Sequence, residues 1–283
     1  MNVMAKIGLI AGWGKLPQLW AREASKRGNE VYAYPLVEEK TESLKEYTEQ
    51  VCPVNIGAFD NLIKTLNEHG IEKVVMIGKV NKDHLFSLEF DKRMKKLLAS
   101  LDDLNDDSIL RAIAAEFTSE GLEVIPQMAY LKDLIPEPGI LTGDTPVPEL
   151  KRDMEFGFSN ALKIGELDIG QTVIVRDQTV LAVEAAEGTD QTIKRGGRLA
   201  QGGIVMAKIC KPGQDSRLDI PTIGLNTLEN LISVQARGLI LEAGKTFLLD
   251  KEEFLIKAEE AGITVVAVDS DNFIESGGLP WDM

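Results

Sequence analysis

KIGLIAGWGKLP, residues 6–17, opens with an apolar, β-branched run that ends in glycine. Such a run bounded by a turn signal predicts a buried strand over 6–12. Leu16, Leu19, Trp20 and Ala24 then recur at helical spacing within 15–27, and Gly28 marks the stop. Residues 30–36, EVYAYPL, return to strand character. Strand, turn, helix and strand in that order make a βαβ unit of a parallel sheet. The alternation continues outward. A short strand is expected at 51–56, then a helix at 58–69 with Phe59, Leu62, Ile63 and Leu66 on one face. A buried strand follows at 73–77, a capped helix at 106–120 closed by Gly121, and a strand at 122–126. Right-handed crossovers then give an open sheet with helices on both faces.

Residues 136–148 hold four of the eleven prolines, with Gly139 and Gly143 between them. This densest proline cluster is the expected linker. The chain is therefore expected to divide into an N-terminal domain (1–135), a linker (136–150) and a C-terminal domain (151–283). In the second half the pattern predicts a helix at 151–164 and strands at 171–176 and 179–186, split by a turn at Asp177-Gln178. Helices near 190–199, 226–237 and 250–261 alternate with strands at 204–210, 238–242 and 263–268, and 211–224 reads as a loop. The tail from Asp269 to Met283 is acidic and turn-rich, and partial ordering through Trp281 is expected. The fold class is α/β: an open parallel sheet followed by a distinct α/β domain.

The 283 residues carry 31 Lys and Arg against 45 Asp and Glu, a net charge of −14. That balance repels a phosphate backbone, so nucleic acid is not an expected partner. The apolar fraction of 44% supports two cores and excludes global disorder. No apolar run approaches the roughly 18 residues of a membrane helix. The start lacks the cationic and small-residue pattern of a secretory signal, and Cys52 and Cys210 are too few for a disulfide framework, so a cytoplasmic setting is expected.

Three stretches could carry chemistry. The first is AGWGKLP, residues 11–17. Gly12 and Gly14 sit between strand and helix, where backbone can approach an anion at the helix N-terminus. Pro17 stands where a dinucleotide fingerprint would have its third glycine, and Glu38 and Glu39 lie past the point where a ribose-binding acid belongs. A tight turn without ligand is the plain alternative. The second is IGKVNKDHLFSLEFDKRMKKLL, residues 77–98. Gly78 and Lys79 follow a strand end, where ligands bind in open α/β sheets. Leu85, Phe86, Leu88 and Phe90 precede a basic cluster of Lys92, Arg93, Lys95 and Lys96. One amphipathic helix is the simpler reading, and a greasy surface with a cationic rim for an acyl chain or lipid surface is the sharper one. The third pairs EAAEGTD, 184–190, with KICKPGQDSRLDIPTIG, 208–224. Gly188, Thr189 and Asp190 offer a flexible turn, a hydroxyl and a helix N-cap. Lys211, Gln214, Asp215, Arg217 and Asp219 crowd one loop, shaped by Pro212, Gly213, Pro221 and Gly224. Cations that neutralise phosphoryl oxygens beside acids that hold a divalent metal fit phosphate chemistry. A salt-bridged surface loop is the alternative.

Other chemistries have little to build from. The two histidines, His69 and His84, sit in no nucleophile motif, and His69 before Gly70 reads as a helix C-terminus. There is no CxxC pair and no GxxxxGK[ST] loop.

KIGLIAGWGKLP, IGKV (77–80), DDSILRAIAAEFTSEGLEVIP (106–126), LDIGQTVIVRDQTVLAVEAAEGTD (167–190) and KPGQDSRLDIPTIG (211–224) together resemble the LpxI family, and the resemblance runs to VVAVD at 265–269. It implies an N-terminal Rossmann-like domain and a distinct C-terminal domain with a lipid-bearing ligand between them. It implies hydrolysis of UDP-2,3-diacylglucosamine to 2,3-diacylglucosamine 1-phosphate (lipid X) and UMP in lipid A biosynthesis, with Mg2+ or another divalent cation. The family's essential aspartate matches Asp219 best, as catalytic residue and metal ligand, with Asp215 second. Lys211, Gln214 and Arg217, with Gly188, Thr189 and Asp190, would bind the ligand's phosphates. Gly12, Trp13, Gly14 and Lys79 would contact it from the other domain. Peripheral contact with the inner membrane and a homodimer are the further partners the resemblance leaves room for. Trp13 departs from the family's commoner AGGG-x-x-P turn. A non-catalytic nucleotide-sugar or lipid-phosphate binding protein, and a nicotinamide-dependent oxidoreductase, stand as alternatives.

Overall fold

The computed structural model describes residues 5–36, 41–80 and 89–276. Glu38, Glu39, His84, Leu85, Phe86, Leu88 and the end of the tail with Trp281 lie outside the described residues. The chain forms two compact units, residues 1–132 with 215–219, and residues 133–214 with 220–283.

The first unit is built on a parallel sheet of β1 (Lys6–Ala11), β2 (Glu30–Pro35), β3 (Gln50–Val51), β4 (Lys73–Ile77) and β5 (Glu123–Val124). The strand order is β3-β2-β1-β4-β5, every neighbour parallel. The direction of winding reverses between β1 and β4, the switch point of a doubly wound sheet. Around the sheet lie α1 (Leu16–Lys26), α2 (Thr41–Leu44), α3 (Phe59–Glu68), α4 (Lys92–Ala99) and α5 (Asp106–Ser119). Strand alternation divides the core. Ile10 joins Leu62, Leu66, Leu97, Ile113 and Phe117 from α3, α4 and α5. Ile7 and Leu9 face the other way, and α1 packs on β1 and β2 with Trp20, Ala21 and Ala24 buried. His69 caps α3 as expected, with Nδ1 2.7 Å from the hydroxyl of buried Tyr34. The basic cluster divides: Arg93 turns onto Asp60, Glu116 and Glu120, while Lys92, Lys95 and Lys96 are exposed.

The second unit holds β6 (Gly139–Ile140), β7 (Thr172–Arg176), β8 (Thr179–Val183), β9 (Val205–Lys208), β10 (Thr222–Ile223), β11 (Gly238–Glu242), β12 (Phe247–Leu248) and β13 (Thr264–Val268). Its main sheet has the order β6-β13-β11-β9-β7-β8, with β9, β11 and β13 parallel and the remaining pairs antiparallel; β10 pairs with β12 alone. One face packs on α6 (Pro148–Glu166) through Met154, Phe158, Ile240 and Val266. The other meets α7 (Thr189–Ala200), α8 (Leu225–Ser233) and α9 (Lys251–Glu260) through Ile193, Leu228, Leu239 and Phe254. A short α10 (Ser270–Ser276) follows β13. The Asp177-Gln178 turn forms with positive φ at both residues, the geometry that matches strand twist in a two-residue hairpin. Buried Asp153 accepts both of its amides, at 2.9 and 2.7 Å. The proline-rich stretch expected as a linker contributes β6, and Thr142 Oγ1 donates to Ile263 O at 2.9 Å. The α8 helix stops at Ser233 rather than running to 237, because Gln235 adopts positive φ and Ala236 N donates back to Leu231 O.

Candidate functional site

In the first unit the carboxyl ends of β1 and β4 meet at the switch point. Gly12 N donates to Ile77 O at 2.9 Å, and Trp13 and Lys79 exchange backbone bonds of 2.7 and 2.9 Å as an antiparallel bridge. The approach needs glycine: a Cβ on Gly12 would lie 2.6 Å from Lys79 O, and one on Gly78 2.8 Å from Gly12 C. Trp13 is 38% exposed and Lys79 is exposed, beside the start of α1, where Pro17 occupies the first turn. Gly12, Trp13, Gly14 and Lys79 are thus one feature, as a loop before an amphiphilic helix start would need to be to face a ligand.

The same unit receives residues 215–219 from the distant loop. Leu218 is buried in the cluster that contains Ile10 and Met76. The turn is closed by Leu218 N and Asp219 N, both donating to Asp215 O. Arg217 grips the Asp215 carboxylate with Nε and Nη2, at 3.0 and 2.7 Å. That hydrogen-bonded guanidinium holds the Asp215 carboxyl below its ordinary value of 3.8, against the opposing effect of burial. Asp215 is therefore occupied in shaping the loop. Asp219, half-buried one turn on, is the acid placed at the loop's exit.

In the second unit the carboxyl ends of the parallel strands carry a buried polar set. Lys208 ends β9 at 2% exposure, and its Nζ donates to Thr172 Oγ1 at 3.1 Å and Thr189 Oγ1 at 3.0 Å. Thr189 Oγ1 donates to Glu184 Oε1 at 2.7 Å, and Glu184 Oε2 lies 3.8 Å from Lys208 Nζ. Glu242, also 2% exposed, ends β11 and accepts from Cys210 N at 2.7 Å and Lys245 Nζ at 2.8 Å. Sequence reasoning did not single out Lys208, Glu184 or Glu242. The available signal was a charged residue closing an apolar strand, in VMAK, LAVE and GLILE.

The expected ligand contacts of this unit are partly redirected. The Thr189 hydroxyl hydrogen goes to Glu184, and Gly188 N donates to Ala185 O, so neither points a donor outward. The first helical bond of α7 runs from Thr192 N to Gly188 O, which makes the amides of Thr189, Asp190 and Gln191 the donors of the helix start. Asp190 accepts from Asn226 Nδ2 at 2.7 Å. Lys211 pairs with Asp168 at 2.7 Å, and Gln214 Oε1 lies 3.5 Å from Cys210 Sγ.

Among the described residues no three His, Cys, Asp or Glu side chains gather as a metal cage. Magnesium does not require one, since it is held by one or two carboxylates with phosphate oxygens and waters. Asp219 suits that mode. No helix of the described residues is long and apolar enough to cross a membrane.

Comparison with known proteins divides the chain close to the boundary of these two units, apart from residues 215–219, which fall within the C-terminal match. The LpxI N-terminal domain matches residues 6–134 and the LpxI C-terminal domain matches 137–266. The UDP-2,3-diacylglucosamine pyrophosphatase LpxI of Caulobacter vibrioides is 34% identical over 277 residues, spanning 94% of this chain and 98% of that protein. With both halves matched in order and nearly the whole length aligned, the chain belongs to the LpxI family.

Proposed function

We propose that this protein hydrolyses the pyrophosphate of UDP-2,3-diacylglucosamine to 2,3-diacylglucosamine 1-phosphate and UMP in lipid A biosynthesis. The activity for which the Caulobacter relative is named supports the substrate. The observation that carries the reading is the delivery of residues 215–219, with their two acids and a cation, into the unit whose parallel sheet has its switch point at Gly12 and Gly78. Ligands of open α/β sheets bind at that edge.

Water attacks one phosphorus in line with the leaving phosphate. Asp219 orients that water or holds the metal, and Asp215 keeps Arg217 and the loop in shape. Arg217 meets phosphoryl oxygens in the first unit, and the second unit by itself offers a phosphate-binding cation in Lys211, which would exchange Asp168 for phosphate. The backbone amides of Thr189 and Asp190 offer further donors at the start of α7. The turn at Gly12, Trp13 and Gly14, with Lys79, contacts the ligand. A magnesium ion held by Asp219 would neutralise the charge that develops on the phosphoryl oxygens. The test is incubation with UDP-2,3-diacylglucosamine and magnesium, read by UMP release. Turnover is expected from the native protein and none from Asp219→Ala, and normal turnover by that variant would refute the assignment.

A further inference from the structure

Gln127 is a buried amide, 5% exposed, in a 3-10 turn (Gln127–Tyr130) just past β5. The ladder between β4 and β5 ends early, with Ile125 N donating to Val74 O at 2.9 Å. The next carbonyl on that side of β4 is Met76 O, which a longer β5 would have satisfied. Gln127 Nε2 donates to it at 2.8 Å. The second hydrogen of the same amide goes to Leu218 O at 2.6 Å. Both partners are carbonyl oxygens, so only the NH2 side of the amide can face them.

This one side chain therefore ties the peptide immediately before Asp219 to the carboxyl end of β4. The Leu218 side chain, 5% exposed in the core, is the second anchor of the same segment. Leucine burial fixes depth but not rotation, whereas the Gln127 bond to Leu218 O, itself held by the second bond to Met76 O, and the Asp219 N bond to Asp215 O fix the orientation of the Leu218–Asp219 peptide and hence the position of the Asp219 Cα from which its carboxylate projects. We propose that Gln127 is a positioning residue for Asp219, a role that rests on reading Asp219 as the reaction's acid. A misplacement of about 1 Å at a reacting group is enough to cost ~100-fold in rate.

The test is Gln127→Met, which keeps side-chain length and removes both donors. With UDP-2,3-diacylglucosamine and magnesium, kcat is expected to fall by about 10- to 100-fold while KM stays within about 3-fold. Amide exchange is expected to accelerate in peptides covering 211–222 and to stay unchanged in β1 and α5. A kcat within 2-fold of native, or faster exchange spread through the whole unit, would overturn the proposal. If Gln127→Met does not fold, Leu218→Ala loosens the same segment through its other anchor and is expected to show the same split between kcat and KM. An unchanged kcat there overturns the proposal equally. Asp219→Ala, measured in parallel, separates the two claims: full activity in that variant removes the catalytic reading, while the exchange comparison still reports on the clamp.

Discussion

Asp215 and Asp219 stand four positions apart in one loop, and the proposed function gives them different tasks. Asp215 is gripped by Arg217 and its carboxyl is held below 3.8. A carboxyl lowered by folding adds stability above its unfolded value and loses it as the pH falls through the folded one. The loop is therefore expected to keep its amide protection, measured relative to the intrinsic exchange rate at each pH, from about pH 5 to 8, and to loosen only below 3.8. Asp219→Asn is expected to lower turnover by about 10³-fold or more with little change in melting temperature, as removal of a charge used only in the transition state should. Gly12→Ala is expected to lower stability by about 1–3 kcal/mol in chemical denaturation, because its Cβ would press on the Lys79 and Gly78 backbone. The tight turn at Gly12 was legible in sequence, since a glycine after a buried strand is a local signal. The pairing of Asp215 with Arg217 was not, because two residues apart in a loop face each other only in a particular turn.

At the scale of the element, α7 begins on Gly188 and is seated by Lys208, Thr172 and Glu184 beneath Thr189. Removing one member of a buried ion pair leaves the other charged and uncompensated. Lys208→Met is expected to cost about 3–5 kcal/mol in urea unfolding, and adding Glu184→Leu to recover a large part of it. Equal destabilisation by the single and double variants would contradict this account. The helix itself was legible from Gly188-Thr189-Asp190, but its N-cap is Gly188 and not the expected Asp190, which falls in the first turn and accepts from Asn226. The lysine beneath it was not, because a lysine at a strand end reads as exposed until the antiparallel β7 brings Thr172 alongside. The same kind of pairing explains why the proline-rich stretch 136–148 looked like a linker: β6 finds its partner in β13, more than a hundred residues later.

Across the whole molecule, the α/β alternation of both halves followed from strand and helix periodicity, which depend on neighbours along the chain. The insertion of residues 215–219 into the first unit depends instead on Leu218 finding an apolar site and on Gln127 finding a carbonyl, and no local pattern announces either. The net charge of −14 is compatible with an anionic substrate only if cations are concentrated where it binds, and the proposal assigns that task to Lys79, Arg217 and a divalent ion. Because the described residues build no protein cage for a metal, chelation is expected to abolish activity while moving the melting temperature by less than about 2 °C. The most direct test follows the reaction itself. Purified protein is mixed with UDP-2,3-diacylglucosamine and magnesium, and UMP and 2,3-diacylglucosamine 1-phosphate are quantified by mass spectrometry alongside the Asp219→Ala variant. Equimolar formation of both products by the native protein alone is the predicted result, and substrate left intact by the native protein, or cleaved equally by the variant, would contradict it.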